Sequence, residues 1–176
     1  MNIVRLLPIG QPDGQLQELE PALARIFRVR CQVLPQALDP EFAFHGERQQ
    51  YHSSEILQRM RASCSQDTWR LLGVTGVDLY IPILTYVFGE AQVGGPCAVV
   101  SLHRLRQQFY GLPPHPVLER DRLIKEAVHE LGHTLGLRHC DNYECAMSAS
   151  HAVEWIDLKR VTLCAHCQAR VFPLAG

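Results

Sequence analysis

The chain lacks any apolar run long enough to cross a membrane. Its longest strongly apolar stretch, residues 79–89, is far shorter than the roughly 18 residues a spanning helix needs, and it contains Pro82. Residues 1–7 are apolar, but no basic segment precedes them and Pro8 and Gly10 cut them short, so they read as a strand rather than a leader. A cytoplasmic protein is expected. Charge of one sign is missing as well: Lys and Arg number 17, Asp and Glu 18, and the net charge of −1 comes without a dense basic run. Such a chain exerts no long-range attraction on nucleic acid or anionic lipid, and partners of neither kind are expected. Repeats, low-complexity segments and linkers are also absent. What remains is an ordinary balance of 47% hydrophobic and 20% charged residues over 176 positions, which fits one soluble domain spanning 1–176 and expected to be a monomer.

Periodicity places the elements. Leu16, Leu19, Leu23, Ile26 and Phe27 recur at helical spacing, with Pro21 either kinking that helix or marking its first turn. Val29, Cys31 and Val33 alternate as in a half-buried strand that Pro35 ends. Residues 35–52 read as loop, with Phe42 and Phe44 as core anchors. A short helix is predicted over 53–62, capped by Ser53, with Glu55 in its first turn and Ile56, Leu57 and Met60 facing inward. Strands are predicted over 69–75, 81–88 and 97–102; Pro82 makes the second an edge strand, and Gly94-Gly95-Pro96 turns the chain before the third. A long helix over 117–136 follows, anchored by Leu123, Ile124, Ala127 and Leu131. Val153, Trp155, Ile156 and Leu158 suggest a short helix, and residues 164–171 a last one.

The chemistry is concentrated in residues 125–167. His129 and His133 stand four apart, so on a helix both imidazoles leave one face a turn apart, as two ligands of one zinc ion must. Glu130 falls about 100° away from His129, beside the metal and free to hydrogen-bond its water. His139 would lie roughly 9 Å beyond His133 if the helix continued. Gly136 resolves this, because a glycine there can take positive φ, end the helix and return His139 to the same ion. Three imidazoles leave a fourth coordination position for water, which distinguishes a catalytic zinc from a closed structural one.

Cysteines form a second constellation. Cys140 and Cys145 share a loop, Cys164 and Cys167 are a CxxC pair, and together they can offer four thiolates to a second, structural zinc. Two disulfides are the other reading, disfavoured in a reducing compartment. His166 can substitute as a ligand or stand solvated between two of them. Cys31, Cys64 and Cys97 have no metal-like spacing and read as small buried residues.

These motifs resemble the archaemetzincins, a family of metzincin zinc metallopeptidases. The shared pattern is HExxHxxGxxH, a Cys directly after the third His, a second Cys five residues on, Met147 two further, and then CxxC. Gly73-Val74-Thr75-Gly76-Val77-Asp78-Leu79-Tyr80, Val87-Phe88-Gly89-Glu90-Ala91 and Val99-Val100-Ser101-Leu102 extend the likeness over most of the chain after about residue 50. The 16 residues between Met147 and Cys164 are one fewer than in the family pattern, a difference that a turn absorbs. The resemblance implies an α+β, metzincin-like zincin fold: a twisted mixed β-sheet with packed helices, a long active-site helix and a small zinc-stapled C-terminal part. The sheet-containing upper part would cover about 1–136 and the lower part about 137–176. It also implies that residues 86–91 form an edge strand that pairs with extended substrate, and that Met147 lies beneath the zinc without binding it. Some metzincins place a Tyr two residues after that Met as an oxyanion donor; Ala149 stands there, leaving Tyr143 as a substitute candidate.

The expected function is zinc-dependent hydrolysis of peptide bonds, with Glu130 as general base and action that can be endopeptidase or aminopeptidase-like. The rival reading is a non-catalytic module in which zinc holds a surface for a protein or nucleic-acid partner. It accounts for the cysteines equally well but has no use for Glu130 or for an open three-His site.

Overall fold

Alternation of apolar residues along the strands decides which side of the sheet each residue reaches. The protein is described here by a computed structural model covering residues 2–12 and 14–172. Its elements run β1 (Ile3–Ile9), α1 (Leu16–Phe27), β2 (Arg30–Val33), β3 (Phe44–His45), β4 (Gln50–His52), α2 (Ser53–Ala62), β5 (Arg70–Thr75), β6 (Leu79–Tyr80), β7 (Gly89–Ala91), β8 (Cys97–Ser101), α3 (Pro116–Thr134), α4 (Val153–Leu158) and α5 (Ala165–Val171).

The main sheet has the order β2-β1-β5-β8-β7. Its first four strands are parallel and β7 closes one edge antiparallel to β8. Val4, Leu6, Leu72, Val74, Ala98 and Val100 point to one face, where α1 and α3 supply Leu19, Leu23, Leu123 and Ala127. The intervening residues Ile9, Leu71, Cys97 and Val99 point to the other, against Ile56, Leu57 and Met60 of α2. Both faces of β8 are therefore covered, and all five of its residues are buried, as expected of a parallel-sheet strand with helices on both sides. A second, three-stranded sheet, β3-β4-β6, lies beside the first. The fold is thus α+β with a mixed sheet and packed helices.

Several expectations fail, each for a local reason. Residues 35–52 are not plain loop, because they hold β3 and β4 and a 3-10 turn at Glu41–Ala43. That turn sends Ala43 inward, so Phe42 and Phe44 are left 36% and 38% exposed and do not anchor the core. Phe42 instead packs under the Arg59 guanidinium and Phe44 against Tyr51. Ser53 begins α2 but does not cap it; its hydroxyl binds the Tyr80 carbonyl and the Glu90 carboxylate. Residues 81–88 do not form a strand either. Pro82 takes the second position of a turn closed by Leu84 N–H donating to the Ile81 carbonyl (3.0 Å), and Ile83 is 86% exposed. The short helix expected from Val153, Trp155, Ile156 and Leu158 is present as α4, with Val153 and Ile156 buried and Trp155 and Leu158 on its outer side. Of the three unassigned cysteines only Cys97 is fully buried; Cys31 and Cys64 are partly so. Pro21 sits inside α1, past its first turn.

Candidate metal centres

Helix α3 begins with Pro116, where a missing N–H costs nothing, and His115 accepts a hydrogen bond from Leu118 N–H at 3.2 Å. It ends at Thr134. Gly136 follows with φ +86°, and Leu137 N–H donates back to the Gly132 carbonyl at 3.0 Å, a left-handed termination that reverses the chain. Leu137 is buried by the reversal, and the next residues bring His139 back beside the helix. Its ring centroid lies 5.2 Å from that of His129 and 5.0 Å from that of His133.

The backbone fixes how the two helical imidazoles present themselves. His129 Nδ1 lies 2.8 Å from the Ala146 carbonyl and His133 Nδ1 2.8 Å from the Leu137 carbonyl. A carbonyl only accepts, so each Nδ1 carries the proton and each neutral ring turns a bare Nε2 inward. Those two Nε2 atoms stand 3.1 Å apart. Two lone pairs facing each other at that distance call for a cation between them, and ligands about 2.0 to 2.1 Å from one tetrahedral ion would be separated by about 3.3 Å. Burial holds the pKa of His129 well below the ordinary histidine value, with the Lys159 charge adding to it, and burial lowers His133 and His139 too. All three rings are therefore neutral and able to donate a lone pair, so the donor set fits a metal ion.

Glu130, next to His129 on α3, is buried in the floor of a cleft of about 620 Å³ whose walls include residues 84–91 and 149–151. Burial pushes its carboxyl pKa well above the usual range, and the Glu126 charge pushes the same way. Gly89 of β7 lies over it so closely that a Cβ there would fall 2.8 Å from Glu130 Oε1 and 2.6 Å from the Val99 carbonyl. The edge strand can approach the acid only because residue 89 has no side chain. Tyr86 spans the cleft wall by donating to the His151 carbonyl at 2.8 Å. Ala149 lines the cleft, whereas Tyr143 is exposed and is not among the lining residues.

Behind His129 lies a buried ion pair that has no counterpart in the sequence motifs. Lys159 Nζ is 3.2 Å from Glu126 Oε1 and 3.4 Å from the same Ala146 carbonyl that accepts from His129. Nothing in the sequence marks it, because Glu126 follows Lys125 and Lys159 stands between Asp157 and Arg160 among ordinary charged residues.

Cys140, Cys145, Cys164 and Cys167 converge on one point, their sulfurs all within 4.8 Å of one another. All are free thiols, and Cys140 Sγ stands 3.8 Å from Cys164 Sγ. A disulfide requires about 2.05 Å; thiolates 2.3 Å from one tetrahedral zinc would be about 3.8 Å apart. Cys145 Sγ accepts from the backbone N–H groups of Met147 and Cys164. Burial raises the Cys167 pKa, whereas at Cys164 burial is outweighed by hydrogen bonds, chiefly from the Cys167 N–H, and the thiol is held below its usual value. His166 is exposed on α5 and stands outside the cluster. Met147 is fully buried against Gly132 of α3, and its carbonyl accepts from Cys140 N–H at 3.0 Å.

Comparison with known proteins gives the family of this chain. The profile of peptidase family M54 matches residues 32–172. The archaemetzincin of Methanocaldococcus jannaschii is 40% identical over 161 residues, covering 91% of this chain and 87% of that protein. That of Archaeoglobus fulgidus is 35% identical over 168 residues, 96% and 98% of the two chains. Its crystal structure, complexed with malonate, superposes with a TM-score of 0.83 at 36% identity, over 96% of this chain and 99% of that one. A zinc-dependent peptidase from Methanocorpusculum labreanum superposes with a TM-score of 0.86 at 28% identity, again over 96% and 99%. With a family match over most of its length and a cleft floored by imidazoles and a buried carboxyl, the chain belongs to peptidase family M54, the archaemetzincins, and so to the zinc-dependent peptidases.

Proposed function

We propose that His129, His133 and His139 hold a catalytic zinc, that Cys140, Cys145, Cys164 and Cys167 hold a second, structural zinc, and that Glu130 is the catalytic base for peptide-bond hydrolysis. The observation that carries this reading is the pair of bare Nε2 atoms 3.1 Å apart beside a buried carboxyl at the floor of an open cleft. When bound there, zinc supplies a Lewis acid for the scissile carbonyl and a water of lowered pKa. The chain's own residues do the rest. Glu130 takes the proton of the attacking water on its carboxylate and returns it to the amine nitrogen as the peptide bond breaks. The nitrogen needs that proton to leave as an amine.

Substrate lies extended along β7. That strand pairs with β8 on one side only and lines the cleft, so a peptide can add as a further strand while Gly89 keeps the space over Glu130 open. Residues 1–136 would form the part above the cleft and those from 137 onward a lower part stapled by the Cys-bound zinc, together one monomeric catalytic domain. Four reduced thiols imply a reducing, cytoplasmic setting. A non-catalytic zinc module gives no role to a buried acid that lines the same cleft as the three imidazoles.

Glu130→Gln tests this. The variant should keep its metal content and lose about 10²- to 10⁴-fold in turnover of a peptide library, because the ligands remain while the base is gone. Wild-type turnover with metal bound would overturn the mechanism. The same library with free and blocked N-termini decides between aminopeptidase-like and endopeptidase action.

A further inference from the structure

Away from the cleft floor, three more ligand-type side chains converge. His45 ends β3, His52 ends β4, and Glu55 lies in the first turn of α2. The β3–β4 hairpin turns the chain back so that two histidines seven positions apart face the same helical turn, while His52 and Glu55, three apart, share one side of it. His45 Nε2 and His52 Nδ1 each stand 3.1 Å from the same oxygen, Glu55 Oε1. One donor atom from each residue falls within 4.8 Å of the other two.

The rings are oriented by packing, not by the carboxylate alone. His52 stacks on Tyr80, centroids 5.2 Å apart and planes 22° from parallel, and His45 meets Tyr80 edge-on at 5.6 Å and His52 edge-on at 5.8 Å. Tyr80 is itself buried on β6, and its carbonyl accepts from Ser53. Two imidazoles and a carboxylate aimed at a common point from ordered elements are the donor set of a zinc-class ion. Two ring N–H groups sharing one carboxylate oxygen are the proton-loaded form of such a site. In the tautomer with each N–H on the other ring nitrogen, both facing nitrogens offer a lone pair.

We propose that His45, His52 and Glu55 form a further metal site, which takes a divalent ion of the zinc class through His45 Nε2, His52 Nδ1 and a Glu55 carboxylate oxygen, with water completing the sphere. The site is distinct from the cleft floor but joined to the cleft wall. Arg48, in the hairpin turn between the two histidines, donates to the carbonyls of Leu84 (2.8 Å) and Thr85 (3.1 Å), both of which line the cleft. Ser53 and Ser54, which begin α2, hold the Glu90 carboxylate of the edge strand β7. An ion tying residue 45 to residues 52 and 55 therefore stiffens the elements that support that wall.

The test is a titration of zinc chloride into the protein as isolated, in competition with a chromophoric chelator, together with anomalous diffraction from zinc-soaked crystals. A binding step beyond the three-His and four-Cys clusters is expected, with an anomalous peak between His45 and His52. His45→Ala and Glu55→Gln should each weaken that step at least about tenfold and leave the metal at the other two clusters unchanged. His45 lies half-exposed on a two-residue strand and Glu55→Gln conserves shape, so at least one variant should melt as the parent does. Absence of anomalous density at saturating zinc would overturn the proposal. So would a binding step that persists unchanged in both folded variants, which would mark an adventitious ion elsewhere.

Discussion

The three-His and four-Cys clusters are neighbours in sequence and opposites in construction. Two of the imidazoles stand on α3, the longest helix, and each has its tautomer set by a backbone carbonyl. Their orientation is set by the helix and its neighbouring carbonyls. Cys140 and Cys145 lie in a segment, residues 135–152, without helix or strand, tied down by a few backbone bonds such as Cys140 N–H to the Met147 carbonyl and Ala146 N–H to the Thr162 carbonyl. Their partners come from the start of α5, 7 residues long. Although Cys145, Ala146, Met147 and Cys167 are buried in the core, little regular structure holds this segment, so on the proposed reading a bound metal would contribute to its folding energy. One cluster is built on a helix and the other on loops and a helix end. His139 belongs to the weaker side of this division: it donates from the loop, next to Cys140, and no hydrogen bond holds its ring among the described residues.

The largest effect should therefore come from breaking the Cys cluster. Cys164→Ser removes one of the four converging sulfurs, and the variant should lose the structural zinc. With the His139–Cys140 segment loosened, zinc affinity at the imidazoles should fall about 10- to 100-fold although no imidazole has changed. Brief chelation of the parent should do the reverse, stripping the water-accessible His site and its activity while the melting curve barely moves. Metal analysis beside circular dichroism reads both. A folded variant with one zinc lost and unchanged affinity at the imidazoles would show the clusters to be independent.

The contrast also explains what the sequence reveals. α1, α2 and α3 are long enough for their apolar period to show, and their bounds fall within two residues of expectation. Ligand spacing is local chemistry, so the His and Cys groups could be read from a line of text. The second sheet could not, because β3, β4 and β6 are two or three residues long and carry no period. Phe42, Phe44 and Ile83 mislead because hydrophobicity shows what a side chain prefers, while a 3-10 turn or a Pro82 turn decides where it points. Contacts between distant positions are invisible in the same way: the nearness of Gly89 to Glu130 depends on the β7–β8 register, and Lys159 reaches Glu126 across 33 residues.

That ion pair provides an intermediate effect. The side chains of Lys159 and Glu126 are 1% and 4% exposed. Lys159→Met leaves Glu126 without its cation and should cost about 3 to 5 kcal/mol. The cost should depend on pH in a defined direction. Burial already raises the Glu126 pKa, and losing Lys159 raises it further, so its contribution to stability is present below its unfolded value and lost as pH rises through the folded one. Denaturant melts should show a larger deficit above the ordinary carboxylate range, at about pH 7, than below it, at about pH 4. Lys159 also supports the Ala146 carbonyl, so zinc affinity should fall at the imidazoles and stay unchanged at the thiols. Equal losses at both clusters would mean that Lys159 supports the lower part as a whole and not His129.

The smallest effect should come from Met147, which touches both sides of the division. Its side chain fills the space beneath α3 left by Gly132, where a Cβ would fall 2.3 Å from the Met147 sulfur, and its backbone carbonyl holds Cys140 N–H. If these two roles are packing and backbone hydrogen bonding, neither needs a thioether. Met147→Leu keeps nearly the same volume and all of the backbone, so it should cost less than about 1.5 kcal/mol in a denaturant melt and leave the metal content of both clusters at the parent level. Gly132→Ala should cost more, because its methyl group is fixed to a helix that cannot move without carrying His129 and His133 with it. A Met147→Leu protein that kept its stability but lost zinc from the imidazoles would give the sulfur a specific part in holding the His site, and filling space beneath the helix would no longer account for a methionine there.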